Sequence, residues 1–179
     1  MKKLFLLLLI PCFLVGCVAT PERIAKTSRQ DSLKFSPPKM KLSSFSSAKL
    51  EALQVIDAIA NDKDKAALAK DLEAKLQAQL SPLVAAWPAG TGENETLLIQ
   101  PKIVHLRIIS STTRFMVGIM AGQSSATLQL NLVDAKTGDI IANPEITKIA
   151  LGQGGGGEND SNLLDYLANI AHQYVLVNM

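Results

Sequence analysis

The segment Ala126-Thr-Leu-Gln-Leu-Asn-Leu-Val-Asp134 is the most informative part of the sequence about the fold, because apolar and polar side chains alternate along it. One face carries three leucines and the other three polar residues, namely Leu128, Leu130 and Leu132 against Thr127, Gln129 and Asn131. Successive side chains of a strand point to opposite faces of the sheet. The pattern therefore predicts a half-buried antiparallel strand with one face in a core.

The neighbouring sequence supplies partners for this strand. Asp134-Ala-Lys-Thr-Gly138 predicts a hairpin connection in which Gly138 takes a positive φ, and residues 139–150 predict the returning strand. Residues 96–109 are rich in isoleucine, leucine and valine and predict the preceding strand. A weak alternation further upstream predicts a first, edge-type strand at Met40, Leu42 and Phe45.

Apolar residues at helical spacing predict three helices. The first would begin at Ser46 or Ser47 and carry Leu50, Leu53, Ile56 and Ile59. The second would begin at Asn61 or Asp62, end by Trp87, and carry the clearest stripe, Leu68, Leu72, Leu76 and Leu80. The last would begin at residues 159–161 and dock on the sheet. This order predicts an α+β fold, a small, largely antiparallel sheet with amphipathic helices packed on it.

The N-terminal sequence predicts export. Lys2 and Lys3 precede an apolar run at residues 4–14, which is shorter than the roughly 20 residues that a helix needs to span a bilayer. We expect a signal peptide at 1–16, a lipidated cysteine and flexible tether at 17–38, and one periplasmic domain at 39–179. Pro37-Pro38 marks the end of the tether, since it favours extended backbone.

Leu14-Val15-Gly16-Cys17 resembles the lipobox of bacterial lipoproteins, which implies a covalent lipid on Cys17. The alternative is an ordinary signal peptide followed by an incidental cysteine. By the same resemblance, Val18 in place of an aspartate implies sorting to the outer membrane. The chain would then be lipid-anchored in the cell envelope and would face the periplasm.

Charge and cysteine content exclude several classes of function. Without Lys2 and Lys3 the chain has 16 basic and 16 acidic side chains, and the lack of a basic cluster argues against nucleic acid. Cys12 leaves with the signal peptide and Cys17 receives the lipid, so the domain keeps no thiol for a disulfide, a metal or catalysis. We expect no metal and no cofactor besides the lipid.

Catalytic motifs are missing from the sequence. The two histidines, His105 and His172, belong to no recognisable motif, and no Lys-Ser/Thr pair follows the glycines at 152–157 as a phosphate site would need. We therefore expect a protein that is not an enzyme. A hydrolase that uses unpaired Ser or Asp residues is the least favoured alternative.

The segment at 114–122 is the candidate contact surface. It places five large apolar residues between two strands, where polar residues are usual: Phe115, Met116, Val117, Ile119 and Met120. Gly118 and Gly122 would permit tight turns of its backbone. The alternative is that the segment folds back to cover the sheet or extends the strands.

From residue 97 onward, the succession Arg114, Gly118, Gly122, alternating strand, Asp134, Thr137-Gly138, glycine-rich stretch and closing helix resembles a family of uncharacterised bacterial outer-membrane lipoproteins. Their domain is similar to the periplasmic domain of the curli-secretion lipoprotein. The resemblance implies the fold more than an activity.

The resemblance favours an accessory that binds an envelope protein during assembly or secretion. The alternative is a periplasmic small-molecule or glycan-binding module. Oligomeric state is left open.

Overall fold

The computed structural model describes residues 35–88, 94–109, 116, 122–150 and 160–179. The predicted signal peptide at 1–16, Cys17, most of the tether at 17–38 and the glycines at 152–157 lie outside the described residues. Within them, six strands form one open, mixed sheet accompanied by three α-helices, so the predicted α+β class is confirmed. None of the described helices is both long enough and apolar enough to span a membrane.

The elements follow one another in the order β1 (Phe45–Leu50), β2 (Gln54–Val55), α1 (Asp57–Ala60), α2 (Lys63–Ala85), β3 (Asn94–Arg107), β4 (Ser124–Asp134), β5 (Ile140–Ala142), β6 (Glu145–Ala150) and α3 (Asp160–Asn178). A 3-10 turn at Leu42–Ser44 precedes β1.

Strands β3 and β4 form the antiparallel centre of the sheet. The short strands β5 and β6 pair antiparallel with the other edge of β4, whereas β1 and β2 pair parallel with the outer edge of β3. The parallel pairing arises because the chain passes through α1 and α2 before it enters β3, instead of turning back in a hairpin. Antiparallel pairings thus outnumber parallel ones among the described strands.

The leucine face of β4 lines the hydrophobic core. Leu128, Leu130 and Leu132 are fully buried, and they share one core with the buried Leu72, Leu76 and Leu80 of α2, which packs on β1 and on α3. Helix α3 completes the layer with a buried row that ends in Tyr174 and Val175. Burial of each such leucine stabilises the fold by about 1.5–3 kcal/mol. The two predicted amphipathic patterns therefore meet in one core.

The first predicted helix, from Ser46 or Ser47 to Ile59, is wrong. Residues 45–50 and 54–55 are strands, and only Asp57–Ala60 is helical. Neither serine caps a helix; Ser47 instead shares a 2.9 Å hydrogen bond with Thr96 on β3. Backbone pairing with β3 outweighs the local spacing of the apolar residues, because strand preference depends on the neighbouring strand.

The predicted returning strand at 139–150 is divided in two. Strand β5 ends at Ala142 and β6 begins at Glu145, with Asn143 and the buried Pro144 between them. Proline has no backbone N–H for a ladder. Its carbonyl still accepts a 3.0 Å hydrogen bond from the amide of Leu130, so both halves stay on β4.

Helix α2 begins as predicted after Asp62, whose carboxylate accepts hydrogen bonds from the amides of Asp64 and Lys65 at 3.1 and 3.2 Å. These contacts satisfy amides that have no partner within the helix. The amide of Lys65 is the main cause that holds the pKa of Asp62 below its usual value. The carboxylate also forms a 3.0 Å ion pair with the Lys65 ammonium.

The first described residues contact the last helix, α3. The hydroxyl of Tyr174 donates a 2.8 Å hydrogen bond to the carbonyl of Ser36, and the ring of Phe35 meets the Tyr174 ring edge-on at 6.1 Å. The amide of Lys39 donates to the carbonyl of Ile141 in β5 at 3.0 Å. Contacts with the domain therefore begin at Phe35, within the segment predicted as tether.

Candidate functional site

The two ends of the sheet differ in what they carry. At one end, called the Asp134 end, β4 turns into β5 beside Lys39 and the last turns of α3. At the other, called the Ser124 end, β3 stops at Arg107 and β4 starts at Ser124. The segment predicted as a contact surface leaves and rejoins the sheet at the Ser124 end.

The base of that segment is held by a buried serine. Ser124 has no exposed surface, and its hydroxyl accepts a 3.0 Å hydrogen bond from the backbone amide of Ile109. This bond joins the chain leaving β3 to the chain entering β4. Since a buried donor or acceptor left without a partner is costly, the pair fixes the separation of the two strands at this point.

Gly122 lies at the same end with a φ of 89°, which L side chains rarely adopt. A Cβ built on it would stand 3.0 Å from a terminal guanidinium nitrogen of Arg107. Glycine therefore accommodates both the backbone turn and the close approach of the arginine. Gly138 also has a positive φ, 77°, but a Cβ there would meet no atom within 4 Å.

Met116 is the one predicted contact residue that the structure describes. Its side chain is 78% exposed, the highest value among the large apolar side chains of the described residues. Phe115, Val117, Ile119 and Met120, together with Gly118, lie outside the described residues. A second apolar side chain at the Ser124 end, Ile149 on β6, is 50% exposed and pairs with Ser125.

The face of the sheet opposite the leucines is polar. His105 on β3 hydrogen-bonds through Nε2 to the Ser125 hydroxyl on β4 at 3.0 Å. Two residues further along β4, the hydroxyl of Thr127 shares a 3.0 Å hydrogen bond with the hydroxyl of Thr147 on β6. These contacts tie β3, β4 and β6 together through side chains as well as backbone. The alternation in β4 indicated this polar face, but its partners come from strands distant in sequence.

The two histidines have different surroundings and different partners. His105 is exposed on β3, whereas His172 lies half-buried on α3 with its Nδ1 3.3 Å from the side-chain Nε2 of Gln173. Burial lowers the pKa of His172 from its usual value. Among the described residues, no three His, Cys, Asp or Glu side chains are grouped as a metal site would need.

No curated protein matches the chain significantly. Among solved structures, it is similar to the PelC dodecamer from Paraburkholderia phytofirmans, with 11% identity over 78% of this chain and 94% of that one and a TM-score of 0.46. It is also similar to a protein from Caulobacter crescentus CB15 provisionally described as a lipoprotein, with 11% identity, coverage of 76% and 87%, and a TM-score of 0.34. These values are too low to transfer any property to this chain.

A family model described as "Domain of unknown function (DUF4410)" matches residues 35–154, about two thirds of the chain. The match begins at Phe35, where the contacts with α3 begin, and takes in all six strands of the sheet. It agrees with the predicted membership of an uncharacterised family, while the likeness to the curli-secretion lipoprotein stays a prediction. The chain belongs to the family described as Domain of unknown function (DUF4410).

Proposed function

We propose that this protein is a lipoprotein of the cell envelope, anchored to the outer membrane through a lipid on Cys17 and facing the periplasm. It acts by binding another envelope protein during assembly or secretion, and it is not an enzyme. The lipobox resemblance at residues 14–17 supports the anchor. Two or more acyl chains hold a protein on a membrane lastingly, whereas a single chain does so only marginally.

The observation that carries the binding proposal is the exposure of Met116. A methionine side chain is flexible and polarisable, so it adapts to a partner surface at little cost. Its segment starts and ends at the Ser124 end, where the hydrogen bond between Ser124 and the Ile109 amide joins the chain on its two sides. Strand β4 spans about 33 Å from Ser124 to Asp134. The Ser124 end of the sheet, which carries this segment, is therefore far from the Asp134 end, where the tether joins the domain.

Crosslinking tests the binding proposal. A photoreactive amino acid in place of Met116, in the full-length lipidated protein in its native membranes, should capture a defined envelope protein. The binding constant of that purified protein should weaken at least about tenfold with Met116→Glu, since a charge cannot enter an apolar contact without loss of hydration. Leu176→Glu, at a 45% exposed site on α3, is the matched control. Equal binding by both variants would contradict the proposal.

The anchor is tested separately. Cys17→Ser removes the proposed attachment point, so it should abolish lipid attachment, and the processed protein should no longer cofractionate with membranes. A Cys17→Ser protein that is processed and still cofractionates with membranes would contradict the lipoprotein assignment. A separate experiment, density-gradient fractionation of membranes from cells with the native protein, tests the proposed location in the outer membrane.

A small-molecule or glycan-binding module is the second candidate, and the polar face favours it. The bonded pairs His105–Ser125 and Thr127–Thr147 present hydroxyl and imidazole groups along two adjacent rows of the sheet. The single tryptophan, Trp87, donates its indole N–H to the Phe45 carbonyl at 3.1 Å and packs against the core. A ligand that raises the melting temperature of the native protein but not of Thr147→Val, which changes the exposed member of the second pair, would support this candidate.

A further inference from the structure

The two edges of the sheet differ in how their backbone groups are satisfied. At one edge, the indole N–H of Trp87 donates to the carbonyl of Phe45 in β1. At the other, the amide of Lys39 donates to the carbonyl of Ile141 in β5. Strand β6 lies at the same edge as β5, and among the described residues no donor or acceptor reaches its outer side. The described part of the chain therefore leaves the edge of β6 open.

The pairing of β6 with β4 identifies the backbone groups at this open edge. The amide of Leu130 donates to the carbonyl of Pro144, and opposed residues of an antiparallel pair alternate between bonded and non-bonded pairs. Ile146 and Lys148 are therefore bonded to β4. The alternate residues direct their N–H and C=O groups away from β4, and they are Glu145, Thr147 and Ile149.

The side chains of these three residues lie on the polar face of the sheet. Glu145 and Thr147 are exposed, and Ile149 is 50% exposed. The side chain of Lys148 points the opposite way, and its ammonium lies 4.7 Å from the centre of the Tyr166 ring on α3. Lysine side chains protect many edge strands from pairing with another strand, but here that charge contacts a helix. An extended chain can therefore approach β6.

The open edge adjoins the end of the sheet that carries the proposed contact surface. Ile149 pairs with Ser125 at the Ser124 end, where the segment of Met116 leaves and rejoins the sheet. A chain laid along β6 from this end would first meet the apolar side chain of Ile149. It would meet the carboxylate of Glu145 about 13 Å further on. One partner can therefore contact both surfaces.

Charge indicates what kind of chain fits this edge. In two copies of this protein paired antiparallel about Thr147, Glu145 of each copy would lie opposite Ile149 of the other. Neither carboxylate would then face a cation, although opposite charges across a strand pair stabilise it. Charge complementarity therefore favours a different chain, with a basic side chain opposite Glu145 and an apolar one opposite Ile149.

We infer that β6 binds an extended segment of the partner protein as an additional strand of the sheet. The inference rests on the proposed function and adds the form of the partner, which is an extended segment with a basic residue four positions from an apolar one. Main-chain hydrogen bonds to the three outward residues of β6 provide affinity, and the contacts with Glu145 and Ile149 provide specificity.

Amide hydrogen exchange of the full-length lipidated protein in detergent micelles, resolved by residue, tests the open edge. The amides of Thr147 and Ile149 should exchange at least about a hundredfold faster than those of Ile146 and Lys148, because only the latter two are bonded to β4. Equal protection of all four amides would overturn the inference, since this chain or a second copy would already cover the edge. Protection that rises with protein concentration would identify the second copy.

Crosslinking tests the occupant. A photoreactive amino acid at Ile149, in the full-length lipidated protein in its native membranes, should capture the protein that Met116 captures, through one short segment that contains a basic residue. The same amino acid at Ile140, a 47% exposed site on β5, is the matched control and should not capture it. Capture from Met116 but not from Ile149 would contradict only the added strand. Capture from neither position would contradict the proposed binding function as well.

Variants of the purified complex measure the backbone and charge contacts. Thr147→Pro removes an outward N–H without removing a bond to β4, and it should weaken binding at least about tenfold. Thr147→Val loses the same hydroxyl but keeps the amide, so it should weaken binding clearly less. Glu145→Lys should weaken binding more than Asp139→Lys, an equal charge change at an exposed position outside β6. Equal effects within either pair of variants would overturn the inference.

Hydrogen exchange of the native complex gives a test that does not require the proline variant to fold. Binding of the captured protein should slow exchange of the Thr147 and Ile149 amides at least about tenfold, because each would donate to the added strand. The amides of Ile146 and Lys148 are already bonded to β4 and serve as the internal reference. Unchanged exchange of Thr147 and Ile149 in the complex would overturn the inference.

Discussion

The hydroxyl of Tyr174 donates a 2.8 Å hydrogen bond to the carbonyl of Ser36, which lies 138 residues earlier in the chain. Tyr174→Phe removes this donor and keeps the ring that meets Phe35. We expect the free energy of unfolding to fall by about 1 kcal/mol, the usual contribution of one hydrogen bond. Urea unfolding at neutral pH measures it. An unchanged midpoint would show that the bond does not hold the start of the domain.

The same hydroxyl makes stability depend on alkaline pH. Burial raises the pKa of Tyr174 above its usual value of 10.0. Below that value the hydroxyl is protonated in both states, so its contribution is fully present. As the pH rises above about 10, the unfolded state ionises first, and stability falls until the folded pKa is passed. Unfolding midpoints against pH should fall less steeply for Tyr174→Phe than for the native protein.

Asp62 caps α2, and its contribution should be lost in acid. Asp62→Ala removes the acceptor for the amides of Asp64 and Lys65 and should lower the melting temperature, while Asp62→Asn keeps an acceptor and should lower it less. The pKa of Asp62 in the folded protein lies below its usual value of 3.8, so the carboxylate stabilises the fold above that pH and ceases to do so as pH falls through the folded pKa. Equal melting temperatures for the two variants at neutral pH would contradict the capping role.

The two faces of β4 should respond differently to truncation. Leu130 is fully buried, and Leu130→Ala should lower the free energy of unfolding by about 2–5 kcal/mol through lost burial and a cavity. Its neighbour Asn131 points to the polar face, and Asn131→Ala should change stability by no more than about 0.5 kcal/mol. Chemical unfolding of both variants checks this, and similar losses at the two positions would contradict the assignment of faces.

Gly138 should tolerate asparagine better than alanine. Its φ of 77° lies where an L side chain costs about 1 kcal/mol or more, although a Cβ would meet nothing within 4 Å. Asparagine visits this region more readily than other side chains. Gly138→Ala should therefore lower the melting temperature more than Gly138→Asn does, as calorimetry would show; the reverse order would indicate that the turn rearranges.

The sequence predicted the parts of the fold that depend on local pattern. Alternation in β4 and the leucine stripe of α2 both appear as buried faces, because each face is long enough to require a partner layer. The hairpin at Asp134 was also visible, since its carboxylate accepts hydrogen bonds from the amides of Lys136 and Thr137 two and three residues later. Such features need no knowledge of distant residues.

The rest depended on distant residues and could not be read locally. Leu50, Leu53, Ile56 and Ile59 have the spacing of a helix, but Leu50 lies in β1, and the pairing of β1 with β3 favours the strand there, with Ser47 opposite Thr96. The candidate site was found from its apolar composition, but Arg107 beside Gly122 and Ser124 beneath Ile109 were missed. Neither pair shows a sequence pattern, because each forms only when β3 and β4 meet.

The parallel pairing of β1 with β3 has a consequence for the order of folding. The antiparallel pair β3–β4 joins residues that are close in the chain, whereas β1 reaches β3 only after α1 and α2 have crossed between them. Non-local pairings incur loop-closure entropy before they gain contacts, so they form late and slowly. We therefore expect the central pair to form the folding nucleus and the pairing of the outer parallel strand to limit the folding rate.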